Sequence, residues 1–182
     1  MAKLLQKEII LDRLLLRPFK KADAKDVHKM AGDIAIARTT LDIPHPYENG
    51  MAEKWIAGHD KAREAGDELN WAVCLKCDFS LIGAVGLLNI NKRHKNGELG
   101  YWIGKDYWNN GYCTEAASGV LKYSFEVIEL EKVFSRHFAS NPSSGRVLAK
   151  IKMRNEGTLR KHAERFGKFE DLKCFGILRS EW

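Results

Sequence analysis

Prolines number four and cysteines four in the 182 residues, and no Pro-, Ser- or Gly-rich run occurs. That lack excludes a linker or low-complexity tail, so the chain is expected to fold as one domain over residues 1–182. No stretch approaches the roughly 18 apolar residues of a membrane-spanning helix. The apolar opening MAKLLQKEIILDRLLLRPF is broken by Lys7, Glu8, Asp12 and Arg13 before a signal-peptide core forms, which predicts a cytoplasmic protein without a membrane partner. Four cysteines in a chain of this size do not imply a disulfide framework. Cys74 and Cys77 have zinc-like spacing, but no second close pair follows and the segment reads as a strand, so no metal is expected.

Basic residues exceed acidic ones, 30 to 24, for a formal charge of +6. Lysines and arginines alternate with acids along the whole chain, and no basic stripe or recognition motif favours nucleic acid as a partner. A polyanionic small molecule is served equally well by this balance.

Residues 13–19 (RLLLRPF) have the compact apolar content of a buried strand that Pro18 terminates. Asp23 then precedes Ala24, Val27, Met30 and Ala31, which make one apolar helix face. A second helix is predicted over Met51–Ala65, with Trp55 and Ile56 inward. From Asn70 the pattern becomes that of strands, at 71–76 and 80–91, joined by a tight turn at Asp78. Asn96-Gly97 is the next hairpin signal, before a strand at 98–103. Ala117, Val120, Leu121, Ser124 and Ile128 recur at helical spacing. A strand at 132–139, a short helix at 143–150 and closing strands at 153–161 and 171–178 complete the order. Seven strands and four helices in this sequence predict an α+β (mixed α/β) fold, with helices about a largely antiparallel sheet.

Gly111 stands just before a helix start, after Asn109-Asn110. A strand, a short glycine-containing loop and a helix start make an anion site, because the first helical amides lack internal partners and the dipole end is positive. Gly111 and Cys113 are small enough to let phosphate approach, and Thr114 adds a hydroxyl. The same glycine also reads as ordinary turn geometry. Neither Gly-x-x-x-x-Gly-Lys-Ser/Thr nor Gly-x-Gly-x-x-Gly is present, which argues against a nucleotide triphosphatase or a dinucleotide oxidoreductase.

Residues 108–113 (WNNGYC) resemble the Arg/Gln-x-x-Gly-x-Gly/Ala acetyl-CoA signature of the GNAT superfamily, in the form used by its RimJ/RimL-like branch of ribosomal-protein N-terminal acetyltransferases. Residues 13–19 resemble that branch's opening strand, 97–104 (GELGYWIG) its central strand and 141–148 (NPSSGRVL) its late helix. Residues 156–160 (EGTLR) and 176–182 (GILRSEW) resemble its final strands, so the likeness runs through essentially the whole chain. Three departures stand out. Trp108 replaces Arg or Gln, and Cys113 replaces Gly or Ala. Lys152 occupies the glycine of a Leu-Gly-Phe/Met motif, where a positive φ would strain it.

The resemblance implies a twisted sheet of about seven strands flanked by about four helices, with central strands splayed around acetyl-CoA as cosubstrate. Tyr101, Trp102 and Ile103 would offer main-chain groups to the pantetheine arm, and an amide near Trp102 or Ile103 would face the thioester oxygen. Trp108, Asn109, Asn110, Gly111, Tyr112, Cys113 and Thr114 would hold the pyrophosphate. Asn141 would anchor a pantetheine amide and Ser144 would protonate the departing thiolate, although Asn141 and Ser143 also read as helix caps. Glu98 is the first choice of base, directly or through water, against the reading of an exposed hairpin carboxylate. The acceptor is an amine; an α-amine, with a reference pKa of about 7.7–8.0, asks less of a base than a lysine near 10.4.

Tyr101, Trp102, Tyr107 and Trp108 could form a base-stacking platform, but aromatics at this spacing more often fill a core and line a groove. His45 falls in the segment that corresponds to the family's substrate loop, where it also reads as a plain turn residue. Two functions follow: direct acetyl transfer from acetyl-CoA to a protein N-terminal or small-molecule amine, or a non-catalytic acyl-CoA or nucleic-acid binding module on the same fold. A homodimer, frequent in the family, is left open.

Overall fold

A computed structural model describes residues 4–182. Among these residues eight strands form one sheet in the order β1-β2-β3-β4-β5-β6-β8-β7. In chain order they are β1 (Ile9–Ile10), β2 (Leu14–Pro18), β3 (Leu69–Leu75), β4 (Leu81–Asn91), β5 (Asn96–Ile103), β6 (Lys132–Phe138), β7 (Arg154–Arg165) and β8 (Lys168–Leu178). Five helices accompany them: α1 (Ala24–Ala31), α2 (Ile34–Ala37), α3 (Met51–Ala65), α4 (Tyr112–Glu126) and α5 (Pro142–Lys150).

The mixed α/β class agrees with the sequence, and α3 coincides with the predicted helix. The counts exceed the prediction by β1 and α2, which span two and four residues. Elements that short carry no measurable periodicity. Asn96-Gly97 is not a turn but the start of β5; the turn occupies residues 92–95, with Lys95 at φ +49°. The β7–β8 hairpin reverses at Phe166 and Gly167, both with positive φ. It is longer than the apolar pattern indicates, because β7 is exposed along nearly its whole length and alternation is absent.

Strand periodicity sorts the core into two layers. Leu69, Trp71 and Val73 of β3 point to the face covered by α4 and α5, where Ala117, Val120, Leu121 and Leu148 meet them. Ala72 and Cys74 point to the opposite face, against Ala24, Val27 and Ala31 of α1 and Ala52 and Ile56 of α3. Burial on both sides explains why β3 reads as a continuous apolar run. Cys74 is buried in this strand, while Cys77 is exposed in the turn after it. The partly buried pair Arg17–Asp23, with two 2.8 Å bonds, ties β2 to the start of α1. Burial works against ionisation of Asp23, but the bonds from Arg17 and the Lys20 N–H outweigh it and lower the carboxyl's pKa.

Candidate active site

Parallel pairing occurs between β5 and β6, which α4 connects, and it stops at Glu98↔Phe134. Beyond that point β5 continues on β4 and β6 on β8, so the two strands part. Ser135 Oγ donates to the Leu99 carbonyl at 2.7 Å and marks the fork. The Gly104 N–H donates to the Ile82 carbonyl, so by antiparallel alternation Trp102 also turns its main-chain groups to β4, and Tyr101 and Ile103 turn theirs to the gap. On the other bank the Ala139 N–H donates to the Asp171 carbonyl of the β8 side, so Arg136 and Phe138 face the gap. A wedge with peptide donors and acceptors on both banks results. Ile103, rather than Trp102, directs its amide into it; the Trp102 ring packs instead on the α1–α3 layer.

The loop below the wedge is shaped by left-handed backbone at Asn109 (φ +65°) and Gly111 (φ +80°). Gly111 is the N-cap of α4, and no acceptor among the described residues takes the N–H groups of Gly111, Tyr112, Cys113 or Thr114. Four free amides at a helix dipole's positive end constitute an anion cradle. The Cys113 side chain turns into the core beside α4 and leaves those amides open; burial pushes its thiol up to about 12. Asn110 ties the loop to itself, donating from Nδ2 to the Tyr107 and Trp108 carbonyls. Trp108 Nε1 donates to the Ile103 carbonyl at 2.6 Å, locking the loop to the end of β5.

Arg13, which the sequence offered only as part of a strand, braces the same loop. It bonds the Asn110 carbonyl at 2.9 Å and Glu115 Oε2 at 2.8 Å, and its guanidinium lies 4.8 Å from the Tyr112 ring centroid. Its partners are about a hundred positions away, so no local signal could have found it.

At the other end, Asn141 caps α5: its Oδ1 accepts from the Ser144 N–H at 3.3 Å, and its Nδ2 donates to the Thr39 carbonyl. The Tyr101 hydroxyl lies 2.9 Å from Ser144 Oγ, and burial raises the phenol's pKa, so it stays protonated at physiological pH. Tyr101, Trp102, Tyr107 and Trp108 share no common face: Tyr101 and Tyr107 pack on the α4 layer and Trp102 on the other.

A cleft of about 790 Å³ joins the wedge to the α1–α3 side, lined by Ile43, Tyr47 and Trp55 and, across from them, by Glu98, Tyr101 and Ser144. Glu98 is not an exposed hairpin carboxylate. It is 6% exposed, with Arg136 donating to both oxygens at 2.9 and 2.8 Å and Asn89 Nδ2 at 3.1 Å. Asn89 reaches it because the β4–β5 register shifts between Leu88 and Asn91, where Asn89 takes φ +51°. Among the described residues neither nitrogen of His59, beside Trp55 on α3, has a hydrogen-bond partner, and burial lowers its pKa to about 4. No group of described residues is arranged to hold a metal ion, and no described helix is long and apolar enough to cross a membrane.

Comparison with known proteins agrees with this geometry. The family model described as an acetyltransferase (GNAT) domain matches residues 13–154. The N-acetyltransferase YoaA of Bacillus subtilis is 26% identical over 171 residues, covering 92% of this chain and 94% of its own. A GNAT-family acetyltransferase structure from Bacillus anthracis superposes with a TM-score of 0.84 at 27% identity, over 96% of this chain and all of that one. The structure of Mycobacterium smegmatis RimJ with CoA-disulfide has the same fold, with a TM-score of 0.87 at 20% identity over 96% of this chain and 88% of that one. The free amides at the start of α4, the parting of β5 from β6 and the match over residues 13–154 converge: the chain belongs to the GNAT family and is an acetyl-CoA-dependent N-acetyltransferase.

Proposed function

We propose that the whole chain acts as one transferase that moves the acetyl group directly to a primary amine, and that an α-amine, as at a peptide terminus, is the favoured acceptor. The observation that carries this reading is the wedge itself, with peptide groups of Tyr101, Ile103, Arg136 and Phe138 turned into it from its two banks and four free amides at its foot. Acetyl-CoA supplies the activated acetyl thioester. The Gly111–Thr114 amides bind its pyrophosphate, with Trp108, Asn109, Asn110 and Tyr112 shaping that loop. Tyr101 and Ile103 hold the pantetheine arm through main-chain groups, and the Ile103 N–H is the donor for the thioester oxygen. Asn141 positions Ser144 beside the thiol end.

Each Glu98 oxygen already accepts at least one hydrogen bond. A water held on its remaining lone pairs carries the amine proton away, with Glu98 as base through that water. An acceptor partly neutral at physiological pH suits such a relay, which favours an α-amine near pKa 8 over side-chain amines near 10. Ser144 Oγ gives its proton to the departing thiolate, and the Tyr101 hydroxyl can replace it. A covalent acyl-cysteine is disfavoured: the Cys113 thiol is buried with a pKa near 12, and no cysteine lines the cleft among the described residues.

Thiol release from acetyl-CoA, measured against a panel of free-terminus peptides, lysine side-chain analogues and spermidine, tests the reading. Peptides with a free α-amine should be turned over fastest. Faster turnover of an N-terminally blocked lysine peptide would reverse the acceptor assignment, and release without any amine dependence would remove it.

A further inference from the structure

The cleft's outer wall is residues 38–43, a segment with no regular structure between α2 and the turn before α3. Thr39, Asp42 and Ile43 of this segment line the cleft. Such a wall has no ladder of its own, so other elements must hold it. Its near end is tied to α2, where the Thr39 N–H and the Thr39 and Thr40 hydroxyls donate to carbonyls of that helix, and two longer-range attachments hold it to the rest of the fold. Asn141 Nδ2 donates to the Thr39 carbonyl at 3.3 Å. Arg165, the last residue of β7, donates from Nε to the Ala37 carbonyl at 2.8 Å, and its Nη2 donates to the carbonyls of both Ala37 and Ile43. Ala37 ends α2, where a carbonyl lacks a helical partner. One planar guanidinium therefore staples both ends of the wall to the tip of the β7–β8 hairpin. The next residue, Phe166, stacks under it with the guanidinium carbon 4.8 Å from the ring centroid, and its ring lies 6.4 Å from that of His45.

We infer that Arg165 is a positioning residue for the acceptor: by clamping Ala37 and Ile43 it fixes the 38–43 wall at the distance that admits the amine, and so sets acceptor affinity without touching acetyl-CoA. The inference rests on the cleft being the acceptor site. Asn141 extends the connection, because the same side chain that holds Thr39 accepts the N–H of Ser144. The wall and the proposed proton donor to the leaving thiol thus share one anchor, while the hairpin supplies the other. Lysine cannot reproduce the flat two-carbonyl grip of arginine.

Amide hydrogen exchange of the full-length protein, compared for wild type, Arg165→Ala and Arg165→Lys, is the primary test. In Arg165→Ala, residues 38–46 should exchange at least tenfold faster, equivalent to about 1.4 kcal/mol of local opening. Exchange in α4 and the thermal shift given by coenzyme A should not change, and Arg165→Lys should fall between. With a free-terminus alanyl hexapeptide and spermidine as acceptor probes, KM for any probe turned over should rise about tenfold, with kcat and the KM for acetyl-CoA within threefold of wild type. Unchanged exchange over 38–46, exchange accelerated equally in α4, or a loss confined to kcat overturns the inference. Absence of a coenzyme A shift in the wild type would instead strike at the assignment of the cleft, so the two failures are distinguishable.

Discussion

Cys113 occupies the first turn of α4, where a helix N-terminus ordinarily favours a thiolate; here burial dominates and holds the thiol neutral. Its side chain packs on the core cluster at the start of α4. Lys152 is a long side chain where a small one belongs. It sits at φ +65° after α5, with its N–H on the Ala149 carbonyl and the Met153 N–H on the Leu148 carbonyl, the two bonds of a Schellman closure. Lys152→Gly should raise stability by about 1 kcal/mol, a gain of roughly 2–4 °C in thermal midpoint for a chain of this size. His59 gives a pH signature. Its folded pKa, near 4, lies below the ordinary value of 6.5, so the unfolded chain binds the extra proton first. The stability it contributes is complete above pH 6.5 and is lost as pH falls towards 4. His59→Phe should flatten this acid slope and, by removing two unpartnered nitrogens, raise stability at pH 5 by about 1–3 kcal/mol; thermal midpoints measured from pH 4 to 7 check both. Glu98→Gln keeps a side chain that Arg136 can still bond but cannot serve a proton relay. It should lower kcat about a hundredfold while leaving the KM for acetyl-CoA nearly unchanged.

Among elements, the 104–111 connection carries the greatest functional constraint. Trp108 bonds back to β5, Asn110 bonds within the loop, and Arg13 reaches from before β2 to hold the Asn110 carbonyl. Gly111 then turns at φ +80°, with open space where a side chain would project except for the Arg13 guanidinium at 3.5 Å. Conformation, not crowding, is what requires glycine. Gly111→Ala should cost about 1–2 kcal/mol through the left-handed backbone, and any relaxation tilts the amides that follow. Coenzyme A affinity measured calorimetrically should fall by about tenfold; an unchanged dissociation constant would mean that these amides do not hold the pyrophosphate. The β7–β8 hairpin has a different task. Its exposed outer strand adds little to the core, and its tip meets the 38–43 segment through Arg165.

At the scale of the molecule, coenzyme A is proposed to lie between two half-sheets joined at the fork below Ser135, contacting β5, β6 and α4 together. Such a ligand is bound by the folded chain alone, so at 100 times its dissociation constant it should add about 2.7 kcal/mol, or roughly 5–10 °C in thermal midpoint. Differential scanning fluorimetry at millimolar coenzyme A measures this directly, and no shift would contradict the proposed binding mode.

Local chemistry alone determined much of this protein. The helical spacing of α3, the continuous apolar runs of β3 and β4, and the glycine-ended loop before α4 depend on near neighbours, whose patterning and conformational preferences act wherever the chain lies. The fork between β5 and β6, the guanidinium grip on Glu98 and the bracing of the loop by Arg13 were decided only by tertiary structure. So was the hold on the 38–43 segment by a residue 122 positions from Ile43 and 128 from Ala37. Strand parting, ion pairing and clamping join groups far apart in sequence, and their partners exist for one another only after the sheet has brought them within hydrogen-bonding range.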